Sequence, residues 1–133
     1  MPKYVPITIA TTGNASAFGN LSVSRRHLTG FGSFTRTFFA GGATPSMVNH
    51  IDYFVPTAQG NAADFGDLTN ARKAIGASAS TTRGVVFGGT NPSNVNIIDY
   101  ITMASIGNAI DFGNLSAART YPFGTSNSHG GII

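Results

Sequence analysis

Three arginines at a fixed spacing are the residues of this chain best placed to do chemistry. Arg25, Arg72 and Arg119 follow one another at intervals of 47 residues in a chain of 133. A guanidinium can bind an anionic ligand through several N–H groups, and it can also form a buried pair with a carboxylate. The sequence favours internal pairing, with Asp64, Asp111 or backbone carbonyl oxygens as the partners.

Other residue patterns that carry catalysis or bind cofactors do not occur. His27, His50 and His129 do not follow the 47-residue period, and their spacing matches no metal motif. The chain has no cysteine, no Gly-x-Ser-x-Gly nucleophile motif and no glycine-rich phosphate loop ending in Lys-Ser/Thr. We therefore expect no catalytic residue, no metal site and no cofactor, and we predict that the protein is not an enzyme.

The arginines belong to a longer segment that is repeated. Gly60–Arg72 recurs as residues 13–25 and 107–119, and the 47-residue offset continues without a gap from Gly13 onward. Three copies at one period are typical of repeat proteins, whose units bury a core by stacking on their neighbours. We expect one repeat domain over 1–133, with units at approximately 13–59, 60–106 and 107–133, the last completed by 1–12.

Each unit reads as four short extended segments between turn residues. In the middle unit they cover about 71–80, 82–87, 95–103 and the Asp-Phe-Gly-Asn-Leu stretch that recurs in the chain. The chain has 17 glycines, ten phenylalanines and only 10% charged residues, which is a turn-rich and β-prone composition. The sequence predicts an all-β fold.

The phase of the repeat predicts how the ends of the chain behave. With the four segments of a unit lettered a to d in that order, the chain reads c d, a b c d, a b c d, a b. This is three units, circularly permuted and cut between b and c. Unpaired strand edges invite pairing, within one chain or between chains. We expect closure through residues at the two ends: Tyr4, Ile7, Ile9, Ile132 and Ile133.

A hairpin centred on the turn between segments b and c would place two pairs of charges opposite each other. Centred on Asn91, it pairs Arg83 with Asp99, and the equivalent hairpin pairs Arg36 with Asp52. Cross-strand ion pairs of this kind contribute about 0.2–1 kcal/mol each.

Positions that vary within the repeated framework are candidates for binding. Phe31 and Phe34 stand where the other units have Ser or Thr, and Met47 and His50 stand where the next unit has Asn94 and Ile97. We expect these four residues to be possible contacts to a protein partner or a glycan, although they could also fill the core.

The charge distribution argues against nucleic acid as a partner. The net charge is +3, but the eight basic residues are dispersed along the chain, whereas nucleic-acid binders concentrate them in a stripe. No apolar run reaches the length of a membrane span, and the N-terminal residues lack a hydrophobic signal segment. We expect that the protein does not insert into a membrane and that it is synthesised in a cytoplasm.

The order of landmarks within a unit resembles a kelch repeat. An Arg opens the unit, a hydrophobic strand ends in Gly-Gly, and an Asn-rich turn, a Tyr-bearing strand, an aromatic residue and a Leu follow. These are Arg72, Val85–Gly89, Asn94–Asn96, Tyr100, Phe112 and Leu115. The chain departs from kelch repeats in having Phe18, Phe65 and Phe112 where those usually carry Trp.

The chain is also similar to tandem repeats in tail and other structural proteins of tailed bacteriophages, including cyanobacterial phages. Thr82–Gly89, Ile98–Thr102 and Gly107–Arg119 carry this resemblance. It implies a non-enzymatic virion component, made in the host cytoplasm, that mediates protein–protein assembly at the tail, neck or capsid surface. The alternative is a carbohydrate-binding, lectin-like module that recognises host surface glycans.

The kelch resemblance implies four-stranded β-propeller blades, and three blades do not close a ring, since propellers have about four to eight. We therefore expect closure between chains, with a homodimer of six blades as the preferred assembly. A threefold β-trefoil or β-prism monomer is the alternative, because both folds contain three repeats and would let the ends pair within one chain.

Overall fold

The computed structural model describes residues 3–4 and 12–126 of the chain, and these residues form ten strands and no helix. The strands are β1 (Lys3–Tyr4), β2 (Gly19–Asn20), β3 (Thr29–Gly32), β4 (Thr37–Ala40), β5 (His50–Phe54), β6 (Ala63–Asp67), β7 (Gly76–Ala79), β8 (Arg83–Phe87), β9 (Ile97–Thr102) and β10 (Ile110–Asn114). Accordingly, within those residues there is no apolar helix of the length that crosses a membrane. The predicted all-β class is confirmed.

The strands form three antiparallel sheets, each built from neighbours in the chain. Strands β3, β4, β5 and β6 form sheet I in that order, and β7, β8, β9 and β10 form sheet II. Strands β1 and β2 form a separate two-stranded sheet, which we call the N-terminal sheet. Consecutive antiparallel pairing needs only short connections, as the abundant turn residues predict.

The 47-residue period of the sequence is also the period of the hydrogen-bonding register. His50 lies opposite Asp67 in sheet I, and Ile97 lies opposite Asn114 in sheet II. One period before sheet I, Lys3 lies opposite Asn20. β1 and β2 therefore occupy the places of the third and fourth strands of a unit, as the predicted order of segments requires.

Side chains along β4, the second strand of sheet I, alternate between buried and partly buried, and the buried ones contribute to a core that both sheets share. Phe38 and Ala40 of β4 are fully buried, while Thr37 and Phe39 between them are only partly buried. Such alternation is expected where one face of a strand packs on a core. One cluster of buried side chains spans both four-stranded sheets and includes Phe38, Ala40, Ile51, Phe65, Leu68, Ile75, Val86, Ile101, Met103 and Ala109.

The fourth strand of each sheet contains a β-bulge at an aromatic residue. In sheet I the register shifts between Asp64 and Gly66, so Phe65 is the extra residue, and Phe112 is the extra residue in sheet II. A bulge bends the strand and re-aims the side chain at that point. The residue after the first bulge, Gly66, has a φ of 155°, and a Cβ there would collide with the carbonyl of Gly107.

The predicted ion pair between Arg83 and Asp99, across the hairpin of β8 and β9, is wrong. Arg83 lies opposite Thr102, and Asp99 lies opposite Val86. The hairpin folds about Pro92 rather than Asn91, because Thr90 bridges to Asn94 and the Asn91 N–H donates to the Ser93 carbonyl.

The hairpin of β4 and β5 is offset in the same way, so Asp52 lies opposite Phe39 and not opposite Arg36. Each hairpin arginine instead places its guanidinium over a tyrosine ring, Arg36 at 4.8 Å from the centre of Tyr53 and Arg83 at 4.5 Å from that of Tyr100. Such cation–π contacts contribute about 0.5–1 kcal/mol at exposed sites.

Candidate functional site

The connection that enters each four-stranded sheet is fastened to the third strand of that sheet by a buried ion pair. Arg72 Nη1 lies 3.1 Å from Asp99 Oδ2, and Arg25 Nη1 lies 3.1 Å from Asp52 Oδ2. All four side chains are 0–1% exposed. A buried charge left without its partner costs several kcal/mol, so each pair fixes the position of its connection.

Further hydrogen bonds complete this site around Asp99. The Thr69 hydroxyl donates to Asp99 Oδ1 at 2.7 Å, and the Thr69 N–H donates to Oδ2 at 3.1 Å. Arg72 Nη2 also donates to the Val86 carbonyl at 3.3 Å. Burial lowers the pKa of Arg72 from its ordinary value, while the charge of Asp99 and its hydrogen bond raise that pKa.

The arginines therefore pair internally, as predicted, but with different carboxylates. Asp64 and Asp111, the acids expected from the sequence, lie on the outer strands β6 and β10 and are exposed. Asp52 and Asp99 lie on interior strands, where a buried guanidinium needs a charge to compensate its lost hydration. The prediction of backbone carbonyl partners is right, since Arg25 Nη2 donates to the Phe39 carbonyl at 3.1 Å.

A Gly-Asn-Ala tripeptide joins each sheet to the sheet before it. Asn108 Oδ1 accepts from the Asp67 N–H at 3.0 Å, and the Ala109 N–H donates to the Asp67 carbonyl at 2.8 Å. The Gly107 N–H donates to the carbonyl of Phe65 at 3.0 Å. The tripeptide before β10 thus lies along β6, the outer strand of the preceding sheet.

The same contact occurs one period earlier. Asn61 Oδ1 accepts from the Asn20 N–H at 3.0 Å, and the Ala62 N–H donates to the Asn20 carbonyl at 2.9 Å. Sheet I therefore lies against the N-terminal sheet in the way that sheet II lies against sheet I.

A second set of contacts joins three residues that sequence reasoning missed. His27, Ala74 and Tyr121 lie 47 residues apart and have positive φ values of 57°, 57° and 53°. The Ala74 N–H donates to the His27 carbonyl at 2.9 Å, and the Tyr121 N–H donates to the Ala74 carbonyl at 2.8 Å. This backbone ladder links the first segments of successive units. Its only signal in the sequence is the period, because the three side chains are unrelated and residues other than glycine rarely adopt positive φ.

The four residues predicted as binding contacts lie in different surroundings. Phe31 is half-buried and stacks on Phe38, with ring centres 5.1 Å apart, and its ring lies against Gly84 of sheet II. Phe34, in the turn after β3, is 67% exposed. Phe31 therefore helps to fill the space between the sheets, whereas Phe34 faces solvent.

Met47 and His50 lie in and after the turn between β4 and β5. Met47 is half-buried and bridges to Ala43, and the Nδ1 of His50 lies 3.8 Å from Asp67 Oδ1. Within the described residues, no hydrogen bond or ring contact joins any two of the four predicted contacts, so they do not form a common site. Their binding to a partner or glycan stays a prediction.

The residues predicted to close the ring fall mostly outside the described part of the chain. Tyr4 lies in β1 opposite Gly19. Ile7, Ile9, Ile132 and Ile133 lie outside the described residues, as does His129. Among residues 3–4 and 12–126, no three histidine or carboxylate side chains gather as metal ligands would.

Strand β10 and the connection that follows it carry apolar and charged residues whose counterparts one period earlier are buried. Phe112 is 56% exposed although Phe65 is 1% exposed, and Arg119 is exposed although Arg72 is fully buried. Arg119 also lines a groove, together with residues that include Phe87, Leu115, Tyr121 and Phe123. This surface is the candidate interaction site of the molecule.

Comparison with known proteins found no matching family model and no matching curated sequence.

Proposed function

We propose that the protein is a non-enzymatic structural protein that assembles with other protein chains through its repeated β units. One observation carries this proposal: residues repeated at the 47-residue period use their polar groups for hydrogen bonds and ion pairs that hold the units together. Arg72 and Asp99 fasten a connection to sheet II, and Asn108 fastens sheet II to sheet I. Repeat units of this kind need neighbours to bury their outer faces.

We propose further that sheets I and II are kelch-like β-propeller blades. Both sheets run in chain order from first to fourth strand, and the first strands β3 and β7 lie side by side. The ladder through His27, Ala74 and Tyr121 follows these first segments, as expected of strands nearest a common axis. Two copies would supply six such blades, and a threefold trefoil or prism monomer is the competing assembly.

Size-exclusion chromatography with light scattering tests the assembly. The six-bladed homodimer predicts twice the monomer mass of 13.7 kDa over a wide range of concentrations. A stable monomer overturns closure between chains and favours the threefold fold. A class average from electron microscopy then counts the blades and the chains directly.

The resemblance to phage repeat proteins supports a place for this structural protein at the tail, neck or capsid surface of a tailed phage. The test is mass spectrometry of gradient-purified particles, with labelled antibodies to locate the protein by electron microscopy. We expect a fixed number of copies in each intact particle. Presence in the host lysate together with absence from the purified particles would contradict this location.

A lectin-like module that binds host surface glycans is the second candidate. The observation that favours it is exposed aromatic surface, with Phe34 67% exposed and Phe123 95% exposed. Aromatic rings pack on the apolar faces of sugars. A glycan array probed with the wild type and with Phe34→Ser tests this function, and sugar binding that Phe34→Ser abolishes would favour it over pure scaffolding.

A further inference from the structure

We propose that residues 112–115, which we call the docking face, bind residues Gly13–Ala15 of a second copy of this chain. The proposal deepens the assembly function above and rests on it. It names a second copy as the partner, and its contact does not involve the terminal residues that were predicted to close the ring.

In sheet I, the residues equivalent to the docking face are already covered by a Gly-Asn-Ala tripeptide. Phe65 is 1% exposed, and the carbonyls of Phe65 and Asp67 accept from the N–H groups of Gly107 and Ala109. Gly66 lies so close to Gly107 that no Cβ would fit between them. A Gly-Asn-Ala tripeptide therefore seals the bulged outer strand of sheet I.

The docking face of sheet II has the equivalent strand and the equivalent bulge, but none of the described residues covers it in this way. Phe112 is 56% exposed, and a Cβ added at Gly113 would meet no atom within 4 Å. The bulged strand is thus shaped as in sheet I, with φ values of 155° at Gly66 and 148° at Gly113. An exposed phenylalanine on a preformed strand edge is the kind of surface that a protein partner covers.

The matching tripeptide is present on the same chain and is itself exposed. Gly13–Ala15 is the third copy of the sequence found at residues 60–62 and 107–109. All three of its residues are exposed, and the contrast lies at Ala15, because its counterparts Ala62 and Ala109 are partly buried and buried where they contact the preceding strand. By equivalence, Asn14 Oδ1 accepts from the Asn114 N–H, and the Ala15 N–H donates to the Asn114 carbonyl.

The two surfaces do not meet within one copy of the described chain, where no hydrogen bond joins Gly13–Ala15 to β10. A second copy supplies the tripeptide that fits, and the contact continues a stacking contact that already occurs twice. In the six-bladed homodimer this contact is reciprocal, because the docking face of each copy would bind Gly13–Ala15 of the other. The backbone ladder would continue in the same direction, with the His27 N–H of one copy donating to the Tyr121 carbonyl of the other.

Disulfide trapping tests the contact cleanly, because the natural chain has no cysteine. Asn14→Cys protein is mixed with Asn114→Cys protein under mild oxidation. The expected result is a covalent species of twice 13.7 kDa in the mixture, with far less in either variant alone. The matched control is Asp67→Cys with Asn108→Cys in one chain, which places cysteines at the equivalent pair and should form a disulfide within the chain.

Two results would overturn the proposal. One is efficient bonding in the control with none between the mixed variants, and the other is an Asn14→Cys/Asn114→Cys double variant that bonds only within its own chain. If the wild type is still an oligomer by light scattering, the assembly function stands and its interface lies elsewhere.

A second measurement applies whether or not the cysteines bond. Phe112→Ser should shift the oligomer to 13.7 kDa, while Val55→Ser, which changes an exposed apolar side chain directly after β5, should leave the mass unchanged. An oligomer that Phe112→Ser leaves intact contradicts the docking face.

Discussion

Sheets I and II have the same strands, the same register and the same bulge, yet their outer strands lie in different environments. Phe65 is 1% exposed in sheet I, and its counterpart Phe112 is 56% exposed in sheet II. The difference comes from the neighbour of each outer strand, since residues 107–109 cover β6 and no described residues cover β10 in this way. Local sequence thus sets the shape of a unit, and its neighbour supplies the burial.

The arginines show the same contrast. Arg72 is fully buried and bonded to Asp99, whereas the side chain of Arg119 is exposed. Four pairs of substitutions, each pair at equivalent positions, test how far this comparison extends.

The largest difference is expected for the two phenylalanines. Phe65→Ala removes a buried ring that contacts Phe38 and Tyr53, with ring centres 5.0 Å and 5.7 Å away. This should lower the free energy of unfolding by about 3–5 kcal/mol. Phe112→Ala should lower it by only about 0.5 kcal/mol in dilute solution, because that ring is more than half exposed. Urea denaturation of both variants measures the difference.

The concentration dependence of the second variant sharpens this comparison. If copies associate through the docking face, the wild type gains stability with protein concentration and Phe112→Ala does not. Equal losses in the two variants at low concentration would show that the outer faces of the two sheets are equally buried.

The next largest difference is expected for the arginines. Arg72→Gln leaves the carboxylate of Asp99 buried without its cation, which should destabilise the fold by about 3–5 kcal/mol. In dilute solution, Arg119→Gln should change stability by no more than about 0.5 kcal/mol, because its side chain is exposed. Thermal unfolding at neutral pH compares them, and a loss at Arg119 as large as that at Arg72 would contradict the difference in burial.

Much of the fold is predictable from the sequence because one period determines both the sequence and the register. The first three expected segments of the middle unit contain β7, β8 and β9, and the fourth overlaps β10. The assignment of the N-terminal residues to a third and fourth segment agrees with the pairing of Lys3 with Asn20. The period places the segments, and the β-prone composition and turn residues identify them as short strands.

The contacts of the charged residues were not predictable in the same way. The centre of the hairpin at Pro92 depends on the fold of a long turn, and an error there of one residue moves every cross-strand partner. The pairing of Arg72 with Asp99 links residues 27 positions apart through the packing of a connection on a strand. The positive φ of His27, Ala74 and Tyr121 follows from the ladder and not from their side chains.

A smaller difference is expected for the hydroxyls that precede the arginines. Thr69→Val keeps the shape of the side chain and removes the hydroxyl that donates to Asp99 at 2.7 Å, at a cost of about 1 kcal/mol. Ser116→Ala, one period later, should be close to neutral, since the described residues provide its hydroxyl with no carboxylate. Denaturation midpoints of the two variants measure this, and a loss at Ser116 would indicate an acceptor for its hydroxyl.

A comparable difference is expected for the hairpin arginines, which both contact a tyrosine ring but differ in their second partner. Arg36 lies over Tyr53 and also donates from Nη1, at 2.8 Å, to the carbonyl of Met103, the residue that directly follows β9 of sheet II. The guanidinium of Arg83 contacts the ring of Tyr100 but, among the described residues, no such carbonyl of a following sheet.

Arg36→Ala should therefore cost about 1–2 kcal/mol, since it removes both a cation–π contact and a hydrogen bond between sheets. Arg83→Ala should cost about 0.5 kcal/mol, because it removes the ring contact alone at an exposed position. If a second copy stacks on sheet II, the loss at Arg83 should grow with protein concentration, because the stacked copy would present a carbonyl where sheet II presents that of Met103. Equal losses at every concentration would mean that the hydrogen bond from Arg36 to sheet II adds no stability and that the two hairpins are energetically equivalent.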